Sequence, residues 1–140
     1  GDPKIGAIAS RLASEIYGLD ILFESAEDDE HNTTRFLLMS ATPSVPAAGG
    51  DMITTLVFQL RSVPAALYKA LGGFATNGVN LTKLESYIRA GVAEQAQFYM
   101  DVQAHIDDPA MQNAMEELRF YCSKDEVHVL GSYPASPSRS

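Results

Sequence analysis

Apolar residues recur along the chain at two spacings, and each spacing predicts one type of element. Residues 54–61 alternate between apolar and polar side chains, which is typical of a strand with one buried face. Apolar residues then recur every three or four positions from Val63 to Phe74, which predicts an amphipathic helix. We expect Ser62 to cap this helix and Pro64 to lie near its first position.

The pattern continues with two strands, a helix and a last strand. Strands are predicted over 79–89 and 94–104, and the second alternates cleanly between apolar and polar residues. Asp108-Pro109 is a typical helix start, because it supplies an N-cap acid followed by proline. The last strand contains Val127 and Val129. The order strand, helix, strand, strand, helix, strand predicts a ferredoxin-like α+β fold.

Two helices cover only one face of a four-stranded antiparallel sheet. The turn that joins the second and third strands is predicted near 89–91. We expect the uncovered face or an edge strand to pair with a second copy of the chain, because unpaired strand edges favour association.

The first forty residues predict fewer elements. A helix is expected over 5–16, ended by Gly18, and short strands are expected over 21–23 and 35–39. One helix and two short strands do not form a core alone. This region therefore has the pattern of a piece of a larger domain.

An uncharged stretch rich in proline, glycine and alanine separates the two regions and is typical of a linker. The first region is also the more acidic, with eight acidic and three basic residues before position 43. The predicted boundaries are 1–42 for the first segment, 43–52 for the linker, 53–133 for the second domain and 134–140 for a tail.

Composition narrows the functional classes. The chain has 140 residues, 46% of them hydrophobic, and a net charge of −8, which fits a globular protein and argues against a nucleic-acid binder. Its apolar runs are shorter than the roughly 20 residues that span a bilayer, so no membrane association is expected. Cys122 allows no internal disulfide, and an acidic cytoplasmic protein is the default expectation.

Metal and cofactor chemistry are not predicted. The acidic stretch 24–30 does not follow the spacing of a calcium loop, and a solvated loop explains it better. His31, His105 and His128 are scattered without zinc-ligand spacing. Cys122 follows two aromatic residues and is expected to be a small, partly buried apolar residue.

Several motifs carry a resemblance to a known family. Residues 32–36 (Asn-Thr-Thr-Arg-Phe), preceded by a helix that begins Ile-Gly-Ala-Ile-Ala-Ser, resemble the Thr-Arg-Phe signature that closes the catalytic domain of prephenate dehydratases. Residues 63–68 and 78–86 resemble the amino-acid-binding half of the ACT domain attached to these enzymes, and 129–134 resembles their end. The chain is similar to their C-terminal part. This implies a βαββαβ ACT domain preceded by a helix-strand fragment of a periplasmic-binding-protein-like α/β catalytic domain.

The resemblance implies a reaction and the residues that perform it. Prephenate is converted to phenylpyruvate, carbon dioxide and water, a step of phenylalanine biosynthesis. Thr34 corresponds to the catalytic threonine, whose hydroxyl would donate to the departing oxygen. Arg35 would hold a substrate carboxylate, and Asn32 would orient the loop. Taken without the resemblance, 32–34 is a turn or strand entry with local backbone hydrogen bonds.

The ACT resemblance implies a regulatory site for L-phenylalanine. The chain departs from the family pattern at two places: Ala65 stands where the family has glycine, and Tyr87-Ile88 stands where it has Arg-Pro. Core packing is the alternative explanation for the leucines of the motif. The predicted effector-binding residues are Ala65, Ala66, Leu67, Asn80, Leu81, Glu85 and Ser86.

Three hypotheses follow for the whole protein. In the first, the chain belongs to a prephenate dehydratase that assembles as a homodimer through its ACT domains, or as a tetramer, and the 140 residues alone are inactive. In the second, the chain is a stand-alone amino-acid-binding module without catalysis. In the third, the missing part also carries a chorismate mutase domain. Because the sequence starts within a predicted helix, we expect further coding sequence upstream of Gly1.

Overall fold

The computed structural model describes residues 4–28, 34–44, 46–88 and 96–136. The chain divides into two compact units, Gly1–Met39 and Ser40–Ser140. We refer to them as the N-terminal unit and the C-terminal unit. The single described helix of the N-terminal unit is α1 (Arg11–Tyr17).

The C-terminal unit has the predicted ferredoxin-like order of elements. Its four strands form one antiparallel sheet in the order β2-β3-β1-β4, so that β2 and β4 are the edges. The predicted turn at 89–91 lies outside the described residues. The elements are β1 (Met52–Leu60), α2 (Ala66–Thr76), β2 (Asn80–Ile88), β3 (Ala96–Gln103), α3 (Pro109–Tyr121) and β4 (Cys122–Pro134).

The core lies between the helices and one face of this sheet. Alternate residues of β1 and β3 point into it, and the predicted inward residues of α3 are fully buried. Gly73 of α2 lies against α3, because a Cβ at this position would be 2.7 Å from the Cβ of Glu117. The main contributors to the core are Leu56, Phe58, Phe74, Phe98, Met100, Val102, Met111, Met115 and Leu118.

Helix α2 begins later than the sequence predicts. Ser62 does not cap it: the N-cap is Ala65, which has a left-handed conformation with φ 57°. The backbone N–H of Ala66 donates to the carbonyl of Val63, so a turn around Pro64 separates the strand from the helix. The prediction was wrong because proline fits the second position of this turn as well as the first turn of a helix.

The N-terminal unit differs from its prediction in two ways. Helix α1 ends at Gly18 as expected, in the left-handed conformation with φ 62°, but it begins at Arg11 and not at residue 5. The predicted strands over 21–23 and 35–39 are wrong, since neither range is a strand. A strand needs a hydrogen-bonded neighbour and a short helix needs a packed face. The apolar side chains that would supply that face are exposed, as Ile8 (94%) and Phe36 (88%) illustrate.

Candidate functional site

The predicted catalytic residues lie in an irregular, exposed segment of the N-terminal unit. Thr34 and Arg35 are both exposed, and the residues from Thr34 to Met39 form no helix or strand. Asn32 lies outside the described residues. An accessible hydroxyl followed by a guanidinium provides a hydrogen-bond donor and a fixed cation, which suits an anionic substrate.

The start of α2 contains three of the predicted effector residues. Ala65 has the positive φ described above, and the first helical residue, Ala66, is buried in the core. Leu67 is partly buried and packs against the same core cluster. The core-packing explanation therefore holds for Leu67, while the backbone of Ala65 lies at the turn itself.

The edge strand β2 places its predicted residues on both faces of the sheet. Asn80 lies opposite Gln103, and its Nδ2 donates to the Gln103 Oε1 at 2.5 Å. Leu81 lies opposite Val102 and packs against the core. Cross-strand partners share a face, so Leu81 lies on the face that α2 and α3 cover and Asn80 on the opposite face.

Farther along β2, two side chains of the same strand contact the predicted effector residue Glu85. Its Oε1 is 3.0 Å from the Nζ of Lys83, and its Oε2 accepts a hydrogen bond of 2.7 Å from the Tyr87 hydroxyl. The Lys83 Nζ also lies 5.0 Å from the centre of the Tyr99 ring. We call Lys83, Glu85 and Tyr87 the β2 triad. Its members are two residues apart and lie on the face of the sheet opposite α2 and α3.

Hydrogen bonding within the β2 triad shifts the pKa of each member. The Tyr87 hydroxyl, and after it the Lys83 ammonium, lower the pKa of the Glu85 carboxyl. The hydrogen bond to Glu85 raises the pKa of Lys83 and that of Tyr87. All three shifts favour a charged carboxylate beside a charged ammonium.

A hydrogen-bonded pair on the same face was not found by sequence reasoning. The buried Thr55 donates from Oγ1 to the Asp101 Oδ1 at 2.6 Å, and its Oγ1 is 2.7 Å from the Tyr133 hydroxyl. Asp101 is fully buried although it lies on the face opposite α2 and α3. The signal available in the sequence was an acidic residue, Asp101, directly between the apolar Met100 and Val102 of β3.

A cleft of about 230 Å³ lies where β1 begins and β3 ends. Asp51, Gln103, His105 and Asp108 are among the residues that line it. The His105 ring is buried, its Nε2 is 2.9 Å from the carbonyl of Pro46, and its Nδ1 accepts the backbone N–H of Asp107. His105 therefore connects the predicted linker, through Pro46, to the segment between β3 and α3.

The seven predicted effector residues do not converge on one enclosed pocket. None of them lines the 230 Å³ cleft. They lie along the edge strand β2 and at the start of α2, with Ser86 opposite Phe98 and Glu85 opposite Tyr99 on the two faces of the sheet. One chain thus supplies only part of the surroundings that an amino-acid ligand needs.

Other chemistry is limited in the part of the chain that the structure describes. Burial raises the pKa of the Cys122 thiol to about 11, so this cysteine is protonated at neutral pH and a poor nucleophile. Within the described ranges, no three histidine, cysteine or acidic residues are grouped to hold a metal ion. No described helix has both the length and the hydropathy of a membrane span.

Comparison with known proteins shows what the chain is similar to. Residues 1–44 match the family model described as prephenate dehydratase. A bifunctional N-acyl-homoserine lactone acylase/prephenate dehydratase of Komagataeibacter europaeus is 49% identical over 134 residues, which cover 95% of the chain and 47% of that protein. Over nearly its whole length, the chain is therefore similar to part of a prephenate dehydratase.

Two further relatives extend the comparison. The Arabidopsis thaliana protein named arogenate dehydratase/prephenate dehydratase 1, chloroplastic, is 37% identical over 96% of the chain and 37% of its own length. The structure of prephenate dehydratase from Arthrobacter aurescens in complex with L-Phe is 29% identical, with a TM-score of 0.59 over 67% of this chain and 30% of that one. The chain thus spans about half the length of the first relative and about a third of the other two.

Proposed function

We propose that the chain is the C-terminal part of a prephenate dehydratase, with residues 1–42 as the end of the catalytic domain and 53–133 as an ACT regulatory domain. The observation that carries this proposal is the family match over residues 1–44, which ends near the division between the two units. A catalytic motif and a separate ferredoxin-like unit therefore follow one another in the order that a regulated dehydratase requires.

The proposed reaction removes two groups from prephenate. The carboxylate leaves as carbon dioxide, its bonding electrons complete the aromatic ring, and the ring hydroxyl leaves with a proton as water. Thr34 would donate a hydrogen bond to the departing oxygen, and Arg35 would pair with a carboxylate of the dianionic substrate. Both side chains are exposed on their segment and accessible to a ligand.

The proposal includes a catalytic cleft that this chain does not complete. The large apolar side chains of the N-terminal unit, including Ile8 and Phe36, are exposed, and α1 has no buried residue. Such a surface is stable when another part of a domain covers it. We therefore expect the 140-residue chain to show no turnover of prephenate, and the chain extended by its natural upstream sequence to be active.

The proposed regulation is feedback by L-phenylalanine at the edge strand β2 and the start of α2. The complex of the Arthrobacter aurescens relative with L-Phe supports this effector. Because the predicted residues form an incomplete site in one chain, we propose that a second ACT domain completes it in a homodimer, or in a tetramer built from such dimers. A cytoplasmic location, predicted from the acidic composition and the single cysteine, remains part of the proposal.

The test of catalysis is an assay of phenylpyruvate formation. In the extended, active protein, Thr34→Val is expected to lower kcat by about 10²–10³-fold, because a donor to a developing negative charge is lost. Thr42→Val, an exposed threonine outside the motif, is the matched control and should retain activity. Because the Arabidopsis relative is also named for arogenate, the assay includes arogenate as a competing substrate. Unchanged turnover in Thr34→Val would refute the assignment of Thr34.

The test of regulation is a calorimetric titration with L-phenylalanine. Asn80→Ala should weaken binding without lowering the melting temperature, because Asn80 is exposed and its amide contributes only a surface hydrogen bond to the fold. Asn113→Ala on the exposed face of α3 is the matched control. If the wild-type chain gives no heat and no melting shift at millimolar phenylalanine, phenylalanine is not the effector of this chain.

One observation favours a second candidate activity. The relative with 49% identity is named as an N-acyl-homoserine lactone acylase as well as a prephenate dehydratase. Within the described residues, the buried Cys122 thiol with its raised pKa does not provide a nucleophile for acyl transfer. The same extended protein is therefore to be assayed for hydrolysis of an N-acyl-homoserine lactone. Lactone hydrolysis without prephenate turnover would replace the dehydratase proposal.

A further inference from the structure

The β2 triad presents the Glu85 carboxylate in a fixed orientation. Among the described residues, each carboxylate oxygen has one donor: Lys83 at 3.0 Å on Oε1 and the Tyr87 hydroxyl at 2.7 Å on Oε2. A carboxylate oxygen accepts two hydrogen bonds, so both oxygens retain acceptor capacity. The Lys83 and Glu85 side chains are 38% and 42% exposed, which leaves the carboxylate accessible to a ligand.

We propose that Tyr87 and Lys83 are positioning residues that hold Glu85 ready to accept the ammonium group of the amino-acid effector. This inference rests on the proposed regulatory function. An α-amino acid presents a cation that requires an acceptor, and a carboxylate held by two donors loses less rotational freedom on binding than a free one. Tyr87 stands where the resemblance expects arginine, so this chain replaces a cation with a neutral hydroxyl.

The replacement has a chemical consequence. An arginine beside Glu85 would compete with the effector for the carboxylate as a permanent cation, whereas a tyrosine hydroxyl orients the oxygen without neutralising it. Among the described residues, Lys83 is the cation that orients the Glu85 carboxylate and that the effector must partly displace. The Lys83 ammonium also lies 5.0 Å from the centre of the Tyr99 ring. It therefore keeps a favourable partner when the effector binds Glu85.

The pH dependence of binding reports on this arrangement. In the part of the chain that the structure describes, four titratable groups lie near the Glu85 carboxyl: Lys83 and Tyr87 on β2, and Tyr99 and Asp101 on β3. Because the Tyr87 hydroxyl lowers the pKa of Glu85, its removal raises that pKa, and Glu85 becomes protonated at a higher pH. The loss of phenylalanine affinity on acidification should therefore begin at a higher pH in Tyr87→Phe than in the wild type.

The experiment is a titration of the full chain with L-phenylalanine over a series from about pH 4 to pH 7, which spans the titration of a glutamate. In Tyr87→Phe, affinity at neutral pH should fall by about three- to tenfold, because one hydrogen bond to the charged acceptor is lost. In Lys83→Met, the loss of phenylalanine affinity on acidification should also begin at a higher pH than in the wild type. Tyr121→Phe on α3 is the matched loss of a hydroxyl and should match the wild type. Equal melting temperatures establish that each variant is folded.

The outcomes separate this inference from the proposed function. A wild-type chain that binds no phenylalanine overturns both. Binding by the wild type that is unaffected by Glu85→Gln shows that Glu85 is not the acceptor and overturns the inference alone. A third outcome is that binding depends on Glu85 but Tyr87→Phe has the affinity and the pH dependence of the wild type. This outcome also overturns the inference and leaves the regulatory proposal intact.

Discussion

The two units of this chain are both rich in apolar residues and differ in what those residues contact. In the C-terminal unit, apolar positions on two helices and three strands meet in one cluster, and Phe58, Phe74 and Leu118 have no exposed surface. In the N-terminal unit, α1 buries no residue. Phe36 is 88% exposed, although its neighbours are as apolar as those of Phe74.

This difference shows that apolar periodicity specifies which face of an element is apolar. The element becomes part of a core only when another element packs against that face. The βαββαβ unit contains its own partners, because α2 and α3 cover the sheet that β1 and β3 form. The N-terminal unit lacks covering elements among its described residues. We therefore expect its stability to depend on a covering surface that the described residues do not supply.

The largest expected effect is on folding stability and contrasts two phenylalanines. Phe74→Ala should lower the free energy of unfolding of the chain by about 3–5 kcal/mol, because a fully buried aromatic side chain is lost and a cavity remains. Phe36→Ala, the matched change in the N-terminal unit, should change it by less than about 0.5 kcal/mol. Urea unfolding followed by circular dichroism measures both. A comparable loss in Phe36→Ala would mean that the N-terminal unit has a core of its own.

A smaller effect is expected where α2 meets α3. Gly73→Ala should lower the free energy of unfolding by about 1–2 kcal/mol. The new Cβ would lie 2.7 Å from the Glu117 Cβ, so the two helices would have to separate. Gly72→Ala is the control on the same helix: its Cβ would meet nothing within 4 Å. There alanine should stabilise the chain by about 0.5–1 kcal/mol through helix propensity. Equal changes at the two glycines would contradict the close packing of α2 on α3.

The sequence predicted the fold best where local signals and long-range contacts agree. The alternation in β3 and the inward face of α3 were both correct, because the side chains that define the pattern also form the core. The predictions failed at 5–10, 21–23 and 35–39. There the pattern was present, but its hydrogen-bonding or packing partners are not among the described residues of the chain.

The candidate site was less accessible to prediction than the fold. The motif resemblance selected Asn80 and Glu85, but not the contacts that these side chains make with Gln103 and Tyr87. Those contacts depend on the register between β2 and β3, which includes an irregularity between Leu81 and Lys83. A bulge moves one residue out of step and changes which side chains share a face, and sequence alternation alone does not locate it.

The smallest expected effect concerns two residues with positive φ, one in each unit. Ala65 precedes α2 with φ 57°, and Ser25 has φ 54° in the N-terminal unit. A left-handed conformation costs an L-residue roughly 1–2 kcal/mol, which glycine avoids. Glycine in turn loses more entropy on folding, which offsets part of the gain. Ala65→Gly should therefore stabilise the chain by about 0.5–1 kcal/mol, seen as a higher urea midpoint.

Ser25→Gly relieves the same conformation in the N-terminal unit and serves as the matched control. Its effect on the unfolding midpoint should be below the detection limit, because that unit adds no buried apolar surface to the cooperative transition. Ala65→Val tests the direction, since a β-branched residue tolerates positive φ less well and should lower the midpoint. A lower midpoint in Ala65→Gly would show that the turn before α2 is held by contacts of the Ala65 methyl group. A raised midpoint in Ser25→Gly would show that both units unfold together.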